Sequence, residues 1–494
     1  MKRIINTRPI VFIALSLAFG VVMGFLSFIQ NACIFITLIA LALLIYLAIT
    51  SYDKDKGKFI LICICAVAFT LGLLLITLKI NTFTLARGFD GDTCQLTAIV
   101  TGVDRLSNDN LGLTLNSVKI GAKKVSFDVY LVVPNQTVNV GDKIVTDAKL
   151  TYQGLEAKNL ASFTPLFGYS EMVTTTLENA SAFHKLFNLV KTKILSNLKG
   201  DNGAMALALL LGDTSYLSTD TKLAYKLSGI SHIFSVSGLH VVFFSMLVAS
   251  LLKLVKVKGI YHVILSFVIT LCYAGVCGFP IPAIRAVIMT LVLNTSKAFG
   301  RKNDNLNSIF LSLIVILLIF PHTLLSYGLI LSYLAVIGMS VYNFCFEKPL
   351  DGYPKFIKNA LSTSIAVTIL ITPVLFKMSG YMSIIVVLLN VIVVPAVNVL
   401  YYVLCFTTIV TLIIPALDFL WFLPDAITNF INAFMSVVDF SRLVFYGTVS
   451  TMALVLYYFA LTFTFDQVNL KKPIKISCGV MSALIICCSL WGLF

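Results

Sequence analysis

The sequence predicts a polytopic α-helical membrane protein of ~12–13 transmembrane helices, with a small extracytoplasmic β-barrel of the OB type inserted near its start. Three observations predict it. Of the 494 residues, 59% are hydrophobic and 12% charged, and the mean hydropathy is +0.96. Apolar runs close to the ~20 residues that span a bilayer recur along the chain. Between Thr84 and Glu178 the pattern becomes polar, alternating and rich in β-formers.

Residues 1–83 hold the apolar runs Pro9 to Phe28, Ala32 to Thr50 and Phe59 to Leu78. Lys2, Arg3 and Arg8 precede the first run, but it is long for a signal-peptide core and no small-x-small cleavage site follows cleanly, so it reads as an anchor. Residues 84–178 form the β domain: Gln95–Thr101, Leu113–Ile120, Val125–Val133 and Lys143–Thr146 alternate with period two between turn signals such as Gly121, Pro134-Asn135 and Gly141-Asp142. About five short strands fit an OB-type Greek-key barrel, and a sandwich fragment fits too. Within 179–228, Phe183, Leu186, Phe187, Val190, Ile194 and Leu198 recur at helical spacing opposite Lys185, Lys191 and Lys193, an amphipathic helix expected to lie in the membrane interface. Residues 229–494 return to apolar runs; the one from Met382 to Ile413 is long enough for a helical hairpin.

With the N-terminus cytoplasmic and sides alternating, lysine and arginine clusters fall inside: Lys54, Lys56 and Lys58; Lys253, Lys256 and Lys258; Lys297, Arg301 and Lys302; Lys348, Lys355 and Lys358; Lys471, Lys472 and Lys475. The Pro321-His322-Thr323 turn and the loop with Asp418, Asp425 and Asp439 fall outside, as does the β domain. The expected location is the cell membrane, multi-pass. Cytoplasmic anchors also explain most of the net charge of +14. The β domain itself has eight basic residues against ten acids, which excludes a strongly basic DNA-binding surface. A local face remains: Lys119, Lys123 and Lys124 lie beside Phe127 and Tyr130, a mixture that suits single-stranded nucleic acid, or else a barrel core next to a solvated turn. Nine of the eleven cysteines sit in apolar runs, and neither a disulfide framework, a metal-ligand spacing nor a cofactor motif is present.

Polar groups in the apolar segments are costly and carry the functional expectations. His232, Ser235, Ser237, Gly238 and His240 cluster at the head of the run ending at Leu254; on a continuous helix His232 and Ser235 share a face, as do Ser237 and His240. They either hold helices together or line a path for a polar solute. Arg285 follows Pro280 and Pro282 in the first turn of a helix, where the dipole disfavours a cation unless an anion compensates; Asp213 is the candidate carboxylate, a passing phosphate the alternative. Asn390, Pro395 and Asn398 interrupt a long uncharged stretch and suggest a broken or kinked helix. Ser235-Val236-Ser237-Gly238 bears a poor likeness to the nucleophile segment of intramembrane serine hydrolases, with His262 or His322 as base.

These segments resemble the ComEC family of competence proteins. The resemblance rests on Ala208-Leu-Leu-Leu-Gly-Asp213, the Gly229 to Val241 run with its Ser-Gly-Leu-His core, Pro282-Ala-Ile-Arg-Ala286, Gly300-Arg-Lys-Asn-Asp304, Gly328-Leu-Ile-Leu-Ser332, and Asn390 with Pro395. It implies a non-enzymatic inner-membrane channel for single-stranded DNA in natural transformation, working with a DNA receptor, a separate nuclease and a cytoplasmic helicase or translocase. The His-x-His-x-Asp-His metal motif of the metallo-β-lactamase-like domain of many relatives is missing, so the form expected lacks that domain and its nuclease activity. The alternative reading is a transporter of another polar or anionic solute on the same fold.

Overall fold

The computed structural model describes residues 8–30, 34, 37–44, 46, 56–106, 110–134, 136, 138–176, 181–234, 238–300, 304–347, 352, 354–383, 385–438, 440–464, 477–482 and 484–485. The elements run α1 Pro9–Ile29, α2 Lys56–Thr84, β1 Thr93–Arg105, β2 Asn110–Ile120, β3 Lys123–Lys124, β4 Val129–Pro134, β5 Lys143–Tyr152, α3 Ala157–Ser162, β6 Leu166–Tyr169, β7 Thr174–Thr176, α4 Ala182–Asn197, α5 Gly200–Leu211, α6 Thr219–Leu227, α7 Gly238–Leu254, α8 Gly259–Val276, α9 Ile281–Ala298, α10 Asn305–Ile319, α11 Tyr327–Glu347, α12 Lys355–Ser379, β8 Tyr381–Ser383, α13 Val386–Ile413, α14 Phe422–Val437, β9 Val444–Tyr446 and α15 Thr451–Thr462. Short 3-10 turns occupy Leu85–Phe89, Ser231–Phe234, Pro321–Leu325, Pro415–Trp421 and Phe440–Leu443. The chain divides into two compact units, Met1–Thr192 with Val241–Leu329 and Lys193–His240 with Ile330–Phe494.

Among the described residues five helices are long and apolar enough to cross a membrane, Pro9–Ile29, Lys56–Phe89, Gly259–Val276, Ile357–Ser379 and Val386–Ile413. Shorter apolar helices lie at Gly200–Leu211, Gly238–Leu254, Asn305–Ile319, Tyr327–Tyr342 and Thr451–Thr462. The protein is a multi-pass helical membrane protein. The expected spans at 32–50 and 474–491 fall largely outside the described residues.

In the first unit α1 and α2 pack with their backbones nearly touching. A Cβ on Gly20 would stand 2.1 Å from the Phe69 carbonyl oxygen, and one on Gly72 2.4 Å from that of Leu17, so both contacts require glycine. The β domain is a closed five-stranded barrel. β1 pairs with β2, β2 with β4, β4 with β6 in parallel, β6 with β5, and β5 back with β1. This Greek-key ring is OB-like and decides against a sandwich. Its interior follows the alternation read from the sequence: Leu96, Ala98 and Val100 from β1, Leu113 and Leu115 from β2, Val129 and Leu131 from β4, and Ile144, Ala148 and Leu150 from β5. One strand is shorter than expected. The chain joins β4 only at Val129, and Phe127, before it, turns into the core.

Phe163, a non-glycine residue at φ +56°, presents its ring to the membrane helices. The Lys79 ammonium lies 4.9 Å from its centre, and the His322 imidazole stacks on it at 4.8 Å and 29°. Burial, and then the Lys79 charge, push the His322 pKa down to about 4, so the ring is neutral at pH 7. The amphipathic expectation for α4 is only partly met: Leu186 and Leu189 are exposed while Lys191 is buried, its ammonium 6.0 Å from the Phe187 ring. The helix thus offers apolar residues on two sides, not one.

In the second unit the 382–413 run is not a hairpin. It is β8 followed by the single 28-residue helix α13, which keeps Pro395 inside without a break. The return leg is α14, and β9 beyond it pairs with β8. Both helices therefore run between the β8–β9 ribbon and the turn at Pro415–Trp421, and Asp418 and Asp425 lie a helix length of ~42 Å from Ser383. Asp439, the third acid of the expected outside loop, lies outside the described residues. A second proline sits inside α12: Pro373 cannot donate to the Ile369 carbonyl, and the Tyr457 hydroxyl of α15 donates to it at 2.7 Å instead.

Candidate functional site

Helix α13 carries a seam of polar side chains. At 100° per residue, Asn390, Tyr401, Cys405, Thr408 and Thr411 fall within about 60° of one line, and Asn390 to Thr411 spans ~32 Å, the thickness of a hydrocarbon core. Tyr401, Cys405, Thr408 and Thr411 are all buried, and the Cys405 thiol is hydrogen-bonded to Tyr401. Asn390 Nδ2 donates to Ser364 Oγ of α12 at 3.1 Å. Its Oδ1, with Thr408 Oγ1 and Thr411 Oγ1, has no hydrogen-bond partner among the described residues. Each such group costs on the order of 1–3 kcal/mol when left dry.

His240 joins the seam at mid-length. It occupies the first turn of α7, is 2% exposed, and lies flat on Tyr401, the ring centres 4.8 Å apart and the planes within 18°. Gly238, also buried, begins the same helix. His232 sits in the Ser231–Phe234 3-10 turn, exposed and bonded to the Gly229 backbone. Gly229, at φ +81°, brings that turn against the start of α13, where an added Cβ would stand 3.0 Å from Val386. Ser235 and Ser237 lie outside the described residues.

Asp213 follows the left-handed cap Gly212 and accepts from both the backbone N–H and the hydroxyl of Ser215, which fixes the turn after α5. Toward the Pro415–Trp421 end of α13, the Lys193 ammonium pairs with Asp418 at 2.6 Å. There too, Asn202 donates to Asp425 at 2.8 Å and to Asn429 at 2.9 Å while accepting from Asn432. Arg285 belongs to the first unit. It lies in the first turn of α9 between Ala283 and Ala286 and is 6% exposed, so it is not a loop cation reaching for the interface.

The histidines named for hydrolysis are engaged elsewhere: His262 faces the Ala249 carbonyl at 3.2 Å, and His322 holds Phe163. No group of three His, Cys, Asp or Glu side chains that would hold a metal gathers among the described residues.

On the barrel, the expected cluster separates into three places. Lys119 and Lys124 are cross-strand partners in an exposed hairpin with Lys123. Phe127 is core and is unavailable for stacking. Tyr130 lies ~17 Å along the sheet from Lys119, counted from its partner Thr114. There it forms a platform that the sequence did not reveal: its ring covers Gly112, where a Cβ would meet the hydroxyl, and it stacks on exposed Phe167 at 6.0 Å and 27°. Exposed Tyr169 continues the row on β6, opposite Lys149 of β5. Burial and then the Asp104 carboxylate raise the Tyr130 pKa, keeping its hydroxyl neutral.

Missed in the sequence were Tyr401, Phe167 and Tyr457, aromatics whose partners are distant in the chain. The position of Phe167 in a short alternating stretch was the one usable signal.

Comparison with known proteins gives two findings. The sequence model of a family described as competence protein matches residues 209–468. ComE operon protein 3 of Bacillus subtilis (strain 168) is 27% identical over 214 residues, covering 39% of this chain and 27% of that relative, so the match spans about a quarter of its length. No solved structure matches.

Proposed function

The chain belongs to the competence-protein family, and from that premise we propose that it passes single-stranded DNA across the cell membrane into the cytoplasm during natural transformation, as a channel and not an enzyme. The observation that carries this reading is the row Tyr130, Phe167 and Tyr169 on the outer face of the OB-like barrel. Exposed aromatic rings beside cations are what unpaired bases stack on, and such stacking tolerates any sequence. A transported strand needs that tolerance.

Under this reading the barrel is extracytoplasmic, the N-terminus cytoplasmic, and the lysine hairpin 119, 123 and 124 meets phosphates while the aromatic row meets bases. His232, Ser235, Ser237, Gly238, His240 and Asn390 of the second unit, and separately Arg285 of the first, are the candidate passage residues, and Asp213 holds the turn after α5. At 2% and 6% exposed, His240 and Arg285 would act from within the packed protein and not as the open wall of a passage. Partners are a DNA receptor outside, a separate nuclease for the other strand, and a helicase or translocase inside. The test is to delete the gene, supply labelled DNA, and measure label in the cytoplasm. Loss of cytoplasmic label, restored by the parent chain and not by Tyr130→Ala with Phe167→Ala, is expected; unchanged uptake in the deletion strain overturns the proposal.

A further inference from the structure

The β2–β4 ladder of the barrel stops at the pair Leu115–Val129, and beyond it the strands part. β2 goes on to pair with β3, and the Val125 N–H closes that side by donating to the Val118 carbonyl at 3.0 Å. Between the two closures a cleft of about 370 Å³ opens, with Asn116, Ser117, Lys124, Val125, Phe127 and Asp128 in its wall, a size within the ~300–1,000 Å³ of small-molecule sites. A bulge shapes it. Between the pairs Thr97–Lys119 and Ile99–Asn116, β2 carries one residue more than β1, and Ser117 stands there at φ +53°, a left-handed conformation that is costly for any residue but glycine. The Ser117 hydroxyl donates to Asn116 Oδ1 at 3.1 Å, so the amide offers its Nδ2 as a donor. Across the cleft, the Asp128 backbone N–H goes to the Phe163 carbonyl at 3.1 Å, yet its carboxylate receives no hydrogen bond or ion pair among the described residues. Burial holds that carboxyl at a pKa of about 6, so at pH 7 it is ionised and short of donors.

Those groups select an occupant. The Asp128 charge keeps a phosphate out of the interior, while Lys124, with Lys119 and Lys123 of the same hairpin, offers phosphates a place at the rim. An ionised carboxylate is satisfied by two adjacent N–H donors. Of the four DNA bases guanine alone presents them, N1–H beside the N2 amino group, with the O6 acceptor next in line for Asn116 Nδ2. Adenine and cytosine set a ring acceptor beside their amino group, and thymine flanks its single N–H with two carbonyls, so each turns a lone pair toward the carboxylate. Alternation places Asn116 and Asp128 on the outer face with Thr114 and Tyr130, and Asp128 is ~7 Å along the chain direction from Tyr130, so a strand stacked on that ring brings a neighbouring base to the cleft. We propose that the cleft binds a guanine of single-stranded DNA, with Asp128 accepting from N1–H and the N2 amino group and Asn116 donating to O6. The inference rests on the reading of the barrel as a DNA surface only for the source of the base.

The detergent-solubilised full chain is titrated against a labelled thymine oligonucleotide and the same oligonucleotide with one central guanine, by fluorescence anisotropy, and against dGMP by saturation-transfer NMR. One guanine should tighten binding about fivefold or more. Inosine in its place, which keeps N1–H and O6 but lacks the amino group, should lose most of that gain. Asp128→Asn, an isosteric change, should bring the two oligonucleotides within about twofold of each other while thymine binding stays at the parent value, which also shows that the barrel is folded. Phe167→Ala should weaken both oligonucleotides and keep their ratio. Guanine bound no more tightly than thymine, or a gain that survives Asp128→Asn, overturns the proposal and leaves the channel reading standing. If neither oligonucleotide binds and dGMP does, with Asp128 required, the cleft stands and the DNA reading of the barrel falls; if dGMP fails as well, both fall.

Discussion

The imidazole of His240 lies parallel to the ring of Tyr401, 161 positions away in the chain, at a centre-to-centre distance of 4.8 Å. Both rings are buried, so each is held by the other and by the surrounding helices. Tyr401→Ala should cost about 3–5 kcal/mol through the cavity left behind and deplete the protein from membranes. Tyr401→Phe should keep the stack and normal abundance. His240→Phe should accumulate normally and yet abolish DNA uptake, read by immunoblot beside a transformation assay.

The barrel predicts a division of labour in binding. Tyr130→Ala and Phe167→Ala should each weaken an oligonucleotide by about 1–3 kcal/mol, with little change in salt dependence. Lys119→Ala, Lys123→Ala and Lys124→Ala should flatten that dependence instead. Gly112→Ala, which pushes the Tyr130 ring off its seat, should resemble Tyr130→Ala. Fluorescence anisotropy with the detergent-solubilised chain measures all of these.

Half-buried Asp128 in the barrel and buried His322, stacked on Phe163, give opposing pH responses. Burial raises the Asp128 pKa from 3.8 to about 6, so between those values the folded state holds more protons than the unfolded one, and its contribution, full below pH 3.8, is lost as pH rises through 6. The His322 pKa is lowered from 6.5 to about 4, so in that window the unfolded state holds more protons and stability rises with pH. Asp128→Asn should therefore leave a barrel that gains stability from pH 4 to 6.5, and His322→Phe one that loses it from pH 3.8 to 6. Hydrogen exchange at β4 amides of the whole protein reports both slopes.

The bond from Tyr457 to the Ile369 carbonyl answers a vacancy made by Pro373. Tyr457→Phe should cost about 1–3 kcal/mol in the parent and clearly less in a Pro373→Ala background, where the amide of residue 373 supplies the missing donor. A double-mutant cycle on thermal unfolding in detergent separates this coupling from general packing.

The length of α13 sets Asp425 and Tyr446 toward opposite ends of a membrane-length helix. Asp425→Cys and Tyr446→Cys, each compared with the parent, should gain a label from a membrane-impermeant maleimide on opposite sides of intact cells and inverted vesicles.

The barrel was legible because period-two alternation survives in β1, β2 and β5 and because turn residues mark its corners. Of the two readings left open for Phe127, stacking platform or barrel core, the structure has the core, and the strand begins two residues later than expected because alternation says nothing of where pairing starts. Asp425, Asn429 and Asn432 lowered the hydropathy of α14, so the return leg of the hairpin was sought inside α13. His232 falls in a 3-10 turn and His240 in the first turn of α7, a difference of local winding that residue spacing does not show. Tyr401 and Tyr457 look like ordinary members of apolar runs until their partners, far off in the chain, come alongside.

Because β1 closes on β5, the paired stretches of the ring leave no free margin, and among the described residues the two-residue β3 and three-residue β7 hang outside it. Anything that docks there must be gripped by side chains, since adding a strand has nowhere to begin. The same closure protects neighbouring copies crowded on one membrane from zipping together, and it lets an adhesive aromatic surface exist without becoming a seed for fibres.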